Sequence, residues 1–466
     1  MHIHILGICG TFMGGLALIA RAAGHKVTGC DAAVYPPMST QLEEQGIELI
    51  EGYGAEQIDL QPDLFIVGNV VSRGNPLMEE ILNRGLAYTS GPQWLGEQVL
   101  AQQHVLAVAG THGKTTTSSM LTWILHYAGL EPNFLIGGIA ENFGISAHFD
   151  STKKYFVIEA DEYDTAFFDK RSKFVHYRPR TAVLNNLEFD HADIFENLGA
   201  IQKQFHHLVR IVPHVGRVIY PAAETALQEV INMGCWSEQV SLGAGAETTH
   251  ADNNAWNYRL IEPSGSHFQV LHKQQVIAEV KWSLIGTHNV QNALAAISAA
   301  DHVGIDPALA CEALQQFAGI KRRMELRDTI NNVAVYDDFA HHPTAITTTL
   351  EGLRKQVGDA RIIAVLEPRS NTMKLGTMSA RLPTSLQLAD VVFCYNETQG
   401  KHSITWDTDS VFADMQQPTH VHRDISQLVD AVATTAEPGD HILVMSNGGF
   451  GGFHDKLIAK LKQKYS

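Results

Sequence analysis

Residues 107–125 read "AVAGTHGKTTTSSMLTWIL". An apolar run meets a glycine turn, then Gly-Lys-Thr-Thr, then a stretch of helical character. A strand that passes through such a turn into a helix leaves backbone N–H groups free at one spot, backed by the positive end of the helix dipole. That spot suits phosphate oxygens. Lys114 is placed to reach β- and γ-phosphates, and the Thr115 hydroxyl to ligate Mg²⁺. Gly110 and Gly113 supply the permissive backbone; Thr111, His112 and Thr116 complete the loop. The strict phosphate-loop pattern has a glycine where this chain has Val108, and Gly110 can open the turn instead. The alternative is a capped helix with a solvated lysine. The strand before, the helix after and the unbroken GKTT favour a nucleotide.

Such a loop needs a cation partner. "FVIEADEYD" (156–164) ends an apolar strand with Glu159, Asp161, Glu162 and Asp164. A carboxylate at the C-terminal end of a strand beside the phosphate strand is a usual Mg²⁺ position. Strand alternation puts Glu159 and Asp161 on one side; a solvated acidic turn is the alternative. "NNLEFDHAD" (185–193) offers Asn185, Asp190, His191 and Asp193 after another strand, as a second metal or substrate loop. A lone histidine there can equally be structural.

The organisation around these motifs is α/β. At 466 residues the chain is long enough for about three domains. From Ile3 to about residue 103, short apolar strands alternate with helical stretches, which implies parallel βαβ units of a Rossmann-like domain. "VLAVAG" (105–110) restarts the pattern in a central domain of the phosphate-loop ATPase type. Between about 245 and 283 the character changes. "HADNNAWNY" (250–258) reads as loop, and "HFQVLHKQQVIAEVKWSL" (267–284) as the hairpin of a small antiparallel sheet. From "GIKRRMELRD" (319–328) a third, Rossmann-like βα series begins. The expected domains are 1–103, 104–321 and 322–466.

Composition narrows the partners. Lys and Arg total 34 against 50 Asp and Glu, a net of −16, which argues against nucleic acid or an anionic membrane surface. The five cysteines are scattered and never form CxxC, as expected for reduced thiols in the cytoplasm. No apolar run approaches membrane-spanning length, and the N-terminus reads as a strand rather than a signal peptide. A monomer or weak homo-oligomer is expected.

Further candidates are more dispersed. "GICGTFMGG" (7–15) follows a strand and precedes a helix, and Asp31 ends the next strand, as in a dinucleotide fold. Cys9 breaks the Gly-x-Gly-x-x-Gly fingerprint, so a phosphate-bearing nucleotide other than NAD, or a bare structural turn, fits there. Asn289 and Asn292 share a helix face and can read an adenine edge or cap the helix. Lys321, Arg322 and Arg323 sit at the second junction, as a phosphate clamp or a solvated face. Asp337 and Asp338 end a strand where a carboxylate suits ribose hydroxyls. Arg369, in "EPRSNTMKLG" (367–376), can meet a carboxylate bidentately. "SNGGFGGFH" (446–454) admits a ligand close to the backbone or simply turns the chain.

Taken in order, "GTHGKTT", "EADEYD", "NNLEFDHAD", "HNVQNALAA", "KRRMEL" and "DDFAHHPT" resemble the Mur ligase family, over essentially the whole chain. The resemblance implies an ATP- and Mg²⁺-dependent enzyme that forms an amide bond in peptidoglycan assembly. It matches Lys114 to the lysine on the β/γ-phosphates, Thr115 and Glu159 to magnesium ligands, and His191 to a histidine tied to a second magnesium. Asn289 and Asn292 match adenine-side residues, Arg323 the nucleotide arginine and Asp338 the ribose carboxylate. Gly7, Cys9, Gly10, Thr11, Phe12, Met13 and Asp31 fall where the family holds the UDP part of UDP-N-acetylmuramate. "VYPPMSTQLEEQGI" (34–47), "EPRSNTMKLG" and "SNGGFGGFH" are similar to the branch that joins UDP-N-acetylmuramate to the recovered tripeptide L-alanyl-γ-D-glutamyl-meso-diaminopimelate, with Arg369 and Ser370 as peptide contacts. The branch that adds L-alanine is the nearest rival. A phosphate-loop switch protein lacks support, because Asn-Lys-x-Asp is absent. A nicotinamide oxidoreductase is weakened by Cys9, and a non-catalytic UDP-sugar binder would leave Lys114 and Glu159 unused.

Overall fold

The computed structural model describes residues 1–34, 38–245, 256–397 and 403–465. Its strands assemble into three main sheets and one two-stranded ribbon. In the first sheet five parallel strands run in the order Glu48–Glu51, Lys26–Asp31, His2–Leu6, Leu64–Val67, Tyr88–Ser90. The order reverses beside His2–Leu6, so the turn at Gly7 and the helix Thr11–Ala22 open at a topological switch point, where open α/β sheets receive ligands.

The second sheet has ten strands. At its centre the phosphate strand His104–Ala109 lies between Thr181–Leu184 and Tyr155–Glu159, parallel to both. The expected hairpin is present as His267–His272 and Gln275–Lys281. It continues the edge of the parallel sheet through Trp256–Leu260 rather than standing apart as a small sheet of its own. The loop read at "HADNNAWNY" is thus half corrected: residues 250–255 lie outside the described residues, and from Trp256 the chain is a strand. The buried Trp256 and Tyr258 alternate with Asn257, a strand period that the preceding polar run disguises.

Alternation along the phosphate strand decides how this sheet is covered. Leu106 and Val108 join the cluster under the helices Lys114–Tyr127 and Thr287–His302. Val105, Ala107 and Ala109 join the opposite cluster, which includes Phe205 and Leu208 and extends to Leu16 of the first helix. The small residues of "TTTSS" and "NALAAISAA" let the two helices approach closely; Thr117, Ser118, Ser119, Ala293 and Ala296 are all fully buried. The third sheet runs Glu325–Ile330, Val333–Asp338, His441–Met445, Ile362–Leu366, Val391–Tyr395, Thr419–His422, antiparallel only at its first pair. We propose the divisions at residues 103 and 321, supported by the absence of any sheet crossing either point among the described residues.

Ile297 is fully buried where the second helix meets this core. Ile297→Ala should lower stability by about 2–5 kcal/mol. The urea midpoint is the check, and an unchanged midpoint would show that this helix pair does not hold the central sheet together.

Candidate active site

The helix Lys114–Tyr127 begins at Gly113, whose φ of 79° is left-handed, and no side chain caps it. Its first N–H groups therefore face the loop. Gly110 has φ +141°, and a Cβ there would stand 2.9 Å from Asn185 Cβ; a Cβ on Gly113 would stand 2.5 Å from Asn292 Oδ1. Both positions need glycine, for conformation and for space. The loop is tied down by asparagines: the His112 N–H donates to Asn186 Oδ1 (2.8 Å), and Asn186 Nδ2 donates to the His112 carbonyl (3.1 Å).

Lys114 Nζ donates to the Gly110 carbonyl and to Glu162 Oε2, each at 2.7 Å, and lies 4.0 Å from Asp161 Oδ1. The Thr115 hydroxyl donates to Glu159 Oε2 at 2.9 Å, which also accepts the Gly137 N–H at 2.8 Å. The Val108–Glu159 pairing in the sheet brings this carboxylate to the loop. His191 does not join Thr115 and Glu159; its Nε2 pairs with Glu162 Oε1 at 2.9 Å. Asp161, Glu162 and His191 each bring a ligand-type atom within 4.8 Å of the other two. His191 has φ 54°, unusual for a non-glycine residue. Asp190 Oδ1 holds it there by accepting the His191 N–H at 2.7 Å, together with the Thr372 hydroxyl at 2.7 Å.

These contacts set the charges. Burial by itself would lower the Lys114 ammonium, but Glu162 and Asp161 outweigh it and the net displacement is upward. Burial would raise Asp161, but Lys173 and Lys114 hold it well below the ordinary carboxylate range. Burial opposes a charged His191, yet its hydrogen bond to Glu162 and that carboxylate's charge raise it above its usual value. Burial lowers His112, assisted by His342, and burial likewise takes His288 down to about 4.

A cleft of about 1080 Å³ connects these groups. It is lined by Thr111 to Thr116, Glu159, His191, Asn289, Asn292, Arg323 and Asp338, and from the first sheet's side by Thr11. Asn289 and Asn292 are engaged inside the protein: Asn292 Oδ1 accepts the Thr117 hydroxyl at 3.1 Å, and Asn289 Nδ2 donates to the Ile285 carbonyl at 2.7 Å. Asp338 accepts the N–H groups of Met324 and Ala340 at 2.8 Å, and burial raises it despite Arg323. The Arg323 guanidinium lies 4.9 Å from the Phe339 ring centre.

Other expected residues lie elsewhere. Gly7, Cys9 and Gly10 form the switch-point turn, Phe12 and Met13 start its helix, and Asp31 ends the neighbouring strand, where its Oδ2 accepts the Cys9 N–H at 2.9 Å. Arg369 and Ser370 do not line the cleft. Arg369 packs on Gly448, and the Ser370 hydroxyl accepts the Met373 N–H at 3.3 Å, capping a short helix. The sequence reading gave no role to Asn186, Lys173 or Thr372 and only a general acidic one to Glu162. Thr372 was visible only as part of a motif, because its partner Asp190 is distant in sequence.

Comparison with known proteins gives this cleft a lineage. The Mur ligase family catalytic domain matches residues 2–103, the Mur ligase middle domain 108–300, and the Mur ligase glutamate ligase domain 322–448. The UDP-N-acetylmuramate–L-alanyl-γ-D-glutamyl-meso-2,6-diaminoheptandioate ligase of Escherichia coli (strain K12) is 58% identical over 100% of this chain and 99% of its own. The chain belongs to the Mur ligase family. A Haemophilus influenzae Mur ligase bearing the same name is 53% identical over 99% of this chain and 100% of its own. The crystal structure of a murein peptide ligase from Psychrobacter arcticus 273-4 superposes with a TM-score of 0.74 at 49% identity, covering 99% of each chain.

The pairing of His191 with Glu162 gives a pH signature. Because the native imidazole is raised, the pair's contribution to stability is complete below the unfolded value of about 6.5 and is lost as pH rises through the native value. Glu162→Gln removes the main raising influence and leaves burial opposed only by Asp190 and Asp161, so the His191 titration should move down. NMR titration of the ring measures this; an unmoved midpoint would mean that Glu162 does not govern His191.

Proposed function

We propose that the chain is an ATP-dependent ligase joining UDP-N-acetylmuramate to L-alanyl-γ-D-glutamyl-meso-diaminopimelate, with release of ADP and phosphate, in the recycling of cell-wall peptide in the cytoplasm. The observation that carries this reading is the uncapped helix at Gly113, with Lys114 and Thr115 at its head, in a cleft reached from all three sheets. The substrates are those in the names of the relatives at 58% and 53% identity. Relatives named UDP-N-acetylmuramate–L-alanine ligase, such as that of Desulforapulum autotrophicum, are 29% identical, so L-alanine addition is the second reading. No helix among the described residues is long and apolar enough to cross a membrane.

The residues suit a triphosphate and a hard cation. The N–H groups of the uncapped first turn after Gly113 and the buried Lys114 ammonium are phosphate donors. Two of the three Lys114 donors are held by Glu162 and the Gly110 carbonyl, and the third is left for a phosphate oxygen. Thr115 and Glu159 present adjoining oxygens, the ligand type Mg²⁺ prefers, and His191, beside Glu162 and Asp161, stands where a second ion would be held. When bound, Mg²⁺ neutralises phosphate charge. Arg323 and Asp338 take the nucleoside side with Asn289 and Asn292, and the Gly7–Met13 turn with Asp31 takes the uridine diphosphate. Arg369 is kept for a far carboxylate of the peptide.

The chemistry has two steps. The muramyl carboxylate attacks the γ-phosphorus and ADP leaves, giving an acyl phosphate. The alanyl amine then attacks that carbonyl, phosphate leaves, and the amine loses its proton. In the first step charge moves along the phosphate oxygens, and Lys114 stabilises it from a fixed, dehydrated position.

Lys114→Ala should lower stability, because the buried Glu162 loses a partner, and should reduce turnover of the folded enzyme by about 10²–10³ or more. A folded variant with near-normal turnover would remove Lys114 from the reaction. Phosphate release from ATP should require both UDP-N-acetylmuramate and the tripeptide, and free L-alanine should replace the tripeptide poorly. Equal or better turnover with L-alanine would select the second reading.

A further inference from the structure

At the edge of the cleft, beyond the phosphate loop, three groups meet that the reaction scheme above leaves without a task. Glu188 follows the strand Thr181–Leu184, Thr344 opens the helix Pro343–Val357, and Arg381 ends the short turn Ser379–Arg381. Glu188 Oε2 accepts the Thr344 hydroxyl at 2.8 Å, and Arg381 Nη2 lies 3.2 Å from that hydroxyl and 3.7 Å from Glu188 Oε2. Glu188 and Thr344 line the cleft. The second carboxylate oxygen, Oε1, points toward the phosphate loop, 3.8 Å from His112 Nε2. That nitrogen is buried and has no hydrogen-bond partner among the described residues. Neither has Nε2 of His342, a residue 2% exposed whose ring centre is 4.8 Å from that of His112.

One ligand-type atom from each of His112, Glu188 and His342 lies within 4.8 Å of the other two. A first-row metal, with bonds of about 2.0–2.1 Å, would need the three drawn closer together. A primary ammonium, with three donors each reaching about 2.8–3.0 Å, spans them better. The Arg381 side chain is 52% exposed, so its guanidinium has room for a further partner.

We propose that Glu188 and Arg381 read the amino end of the peptide: Glu188 receives the alanyl ammonium beside His112, and Arg381 pairs with the free α-carboxylate of the next residue. The inference rests on the ligase reading given above. Its chemistry follows from the substrate: a glutamyl residue linked through its γ-carboxyl keeps its α-carboxylate, about one residue's length (~3.8 Å) beyond the alanyl unit. Glu188 Oε2 and Arg381 Nη2 lie 3.7 Å apart as an ion pair, which the ammonium and the α-carboxylate of the peptide would divide between them. Arg381 then favours the peptide over free alanine, because alanine places its only carboxylate on the same carbon as its amine. A bidentate guanidinium–carboxylate pair is the geometry arginine provides and lysine does not.

The test is a cycle between side chain and substrate on the full-length protein. Wild type and Arg381→Gln are assayed with the tripeptide and with the same peptide amidated at the glutamyl α-carboxylate. Amidation should cost wild type about tenfold or more in kcat/KM, the scale of a charge-assisted pair, and should cost Arg381→Gln little. An equal penalty in both proteins, or none in wild type, would overturn the assignment to Arg381. Glu188→Gln should raise KM for the peptide about tenfold or more while KM for ATP stays within about twofold, a split that a merely structural role would not produce. Parallel rises in both constants would overturn the role of Glu188. If wild type releases no phosphate with either peptide, the ligase reading fails and this inference with it; an active wild type without the arginine-dependent penalty sinks this inference alone.

Discussion

Glu162 is 2% exposed and holds two partners, the Lys114 ammonium through Oε2 and the His191 imidazole, whose titration it raises, through Oε1. Breaking a buried pair by removing one partner leaves an uncompensated charge, at a cost of about 3–5 kcal/mol. This carboxylate joins the phosphate loop to the "DHAD" loop, beside the Thr115–Glu159 and His112–Asn186 hydrogen bonds that tie the phosphate loop to the same strand ends. This arrangement keeps an ammonium charged and poorly hydrated where a polyanion is expected. It also supplies the loop with a stand-in anion, so the buried lysine is compensated before any nucleotide arrives.

Around that carboxylate the cleft is assembled from elements far apart in sequence. Thr372 donates to Asp190, Asn371 to Asp193, and Thr344 to Glu188, each joining the third sheet's loops to the loop after Thr181–Leu184. Lys173 bonds Asp161 at 2.8 Å while lying 5.5 Å from the Phe12 ring centre, so the first sheet's switch-point helix is brought to the same acidic strand end. These are single polar contacts, strong enough to align parts and weak enough to be exchanged when a substrate competes.

The fold was largely legible because its signals are local. Alternation in "VLAVAG" and "FVIEAD", glycine turns at strand ends and small-residue helices each determine structure over a few residues. The order of six motifs carried the family. The masking of the strand at Trp256 by a polar run shows the limit: period is visible only where the neighbouring residues let the strand's start be seen. The hairpin's attachment to the main sheet depends on long-range pairing, which no short window contains.

For the site, the sequence by itself determined the glycine loop, the residue types at its mouth and the strand that ends at Glu159. Chain stereochemistry is enough for that. Tertiary structure alone decided that His191 answers to Glu162 rather than to Glu159, and that Asn292 braces Gly113. It alone set Glu188 beside Arg381. Those outcomes turn on distances between segments tens to hundreds of residues apart, and electrostatic partnership falls off too steeply with distance for residue types alone to assign it.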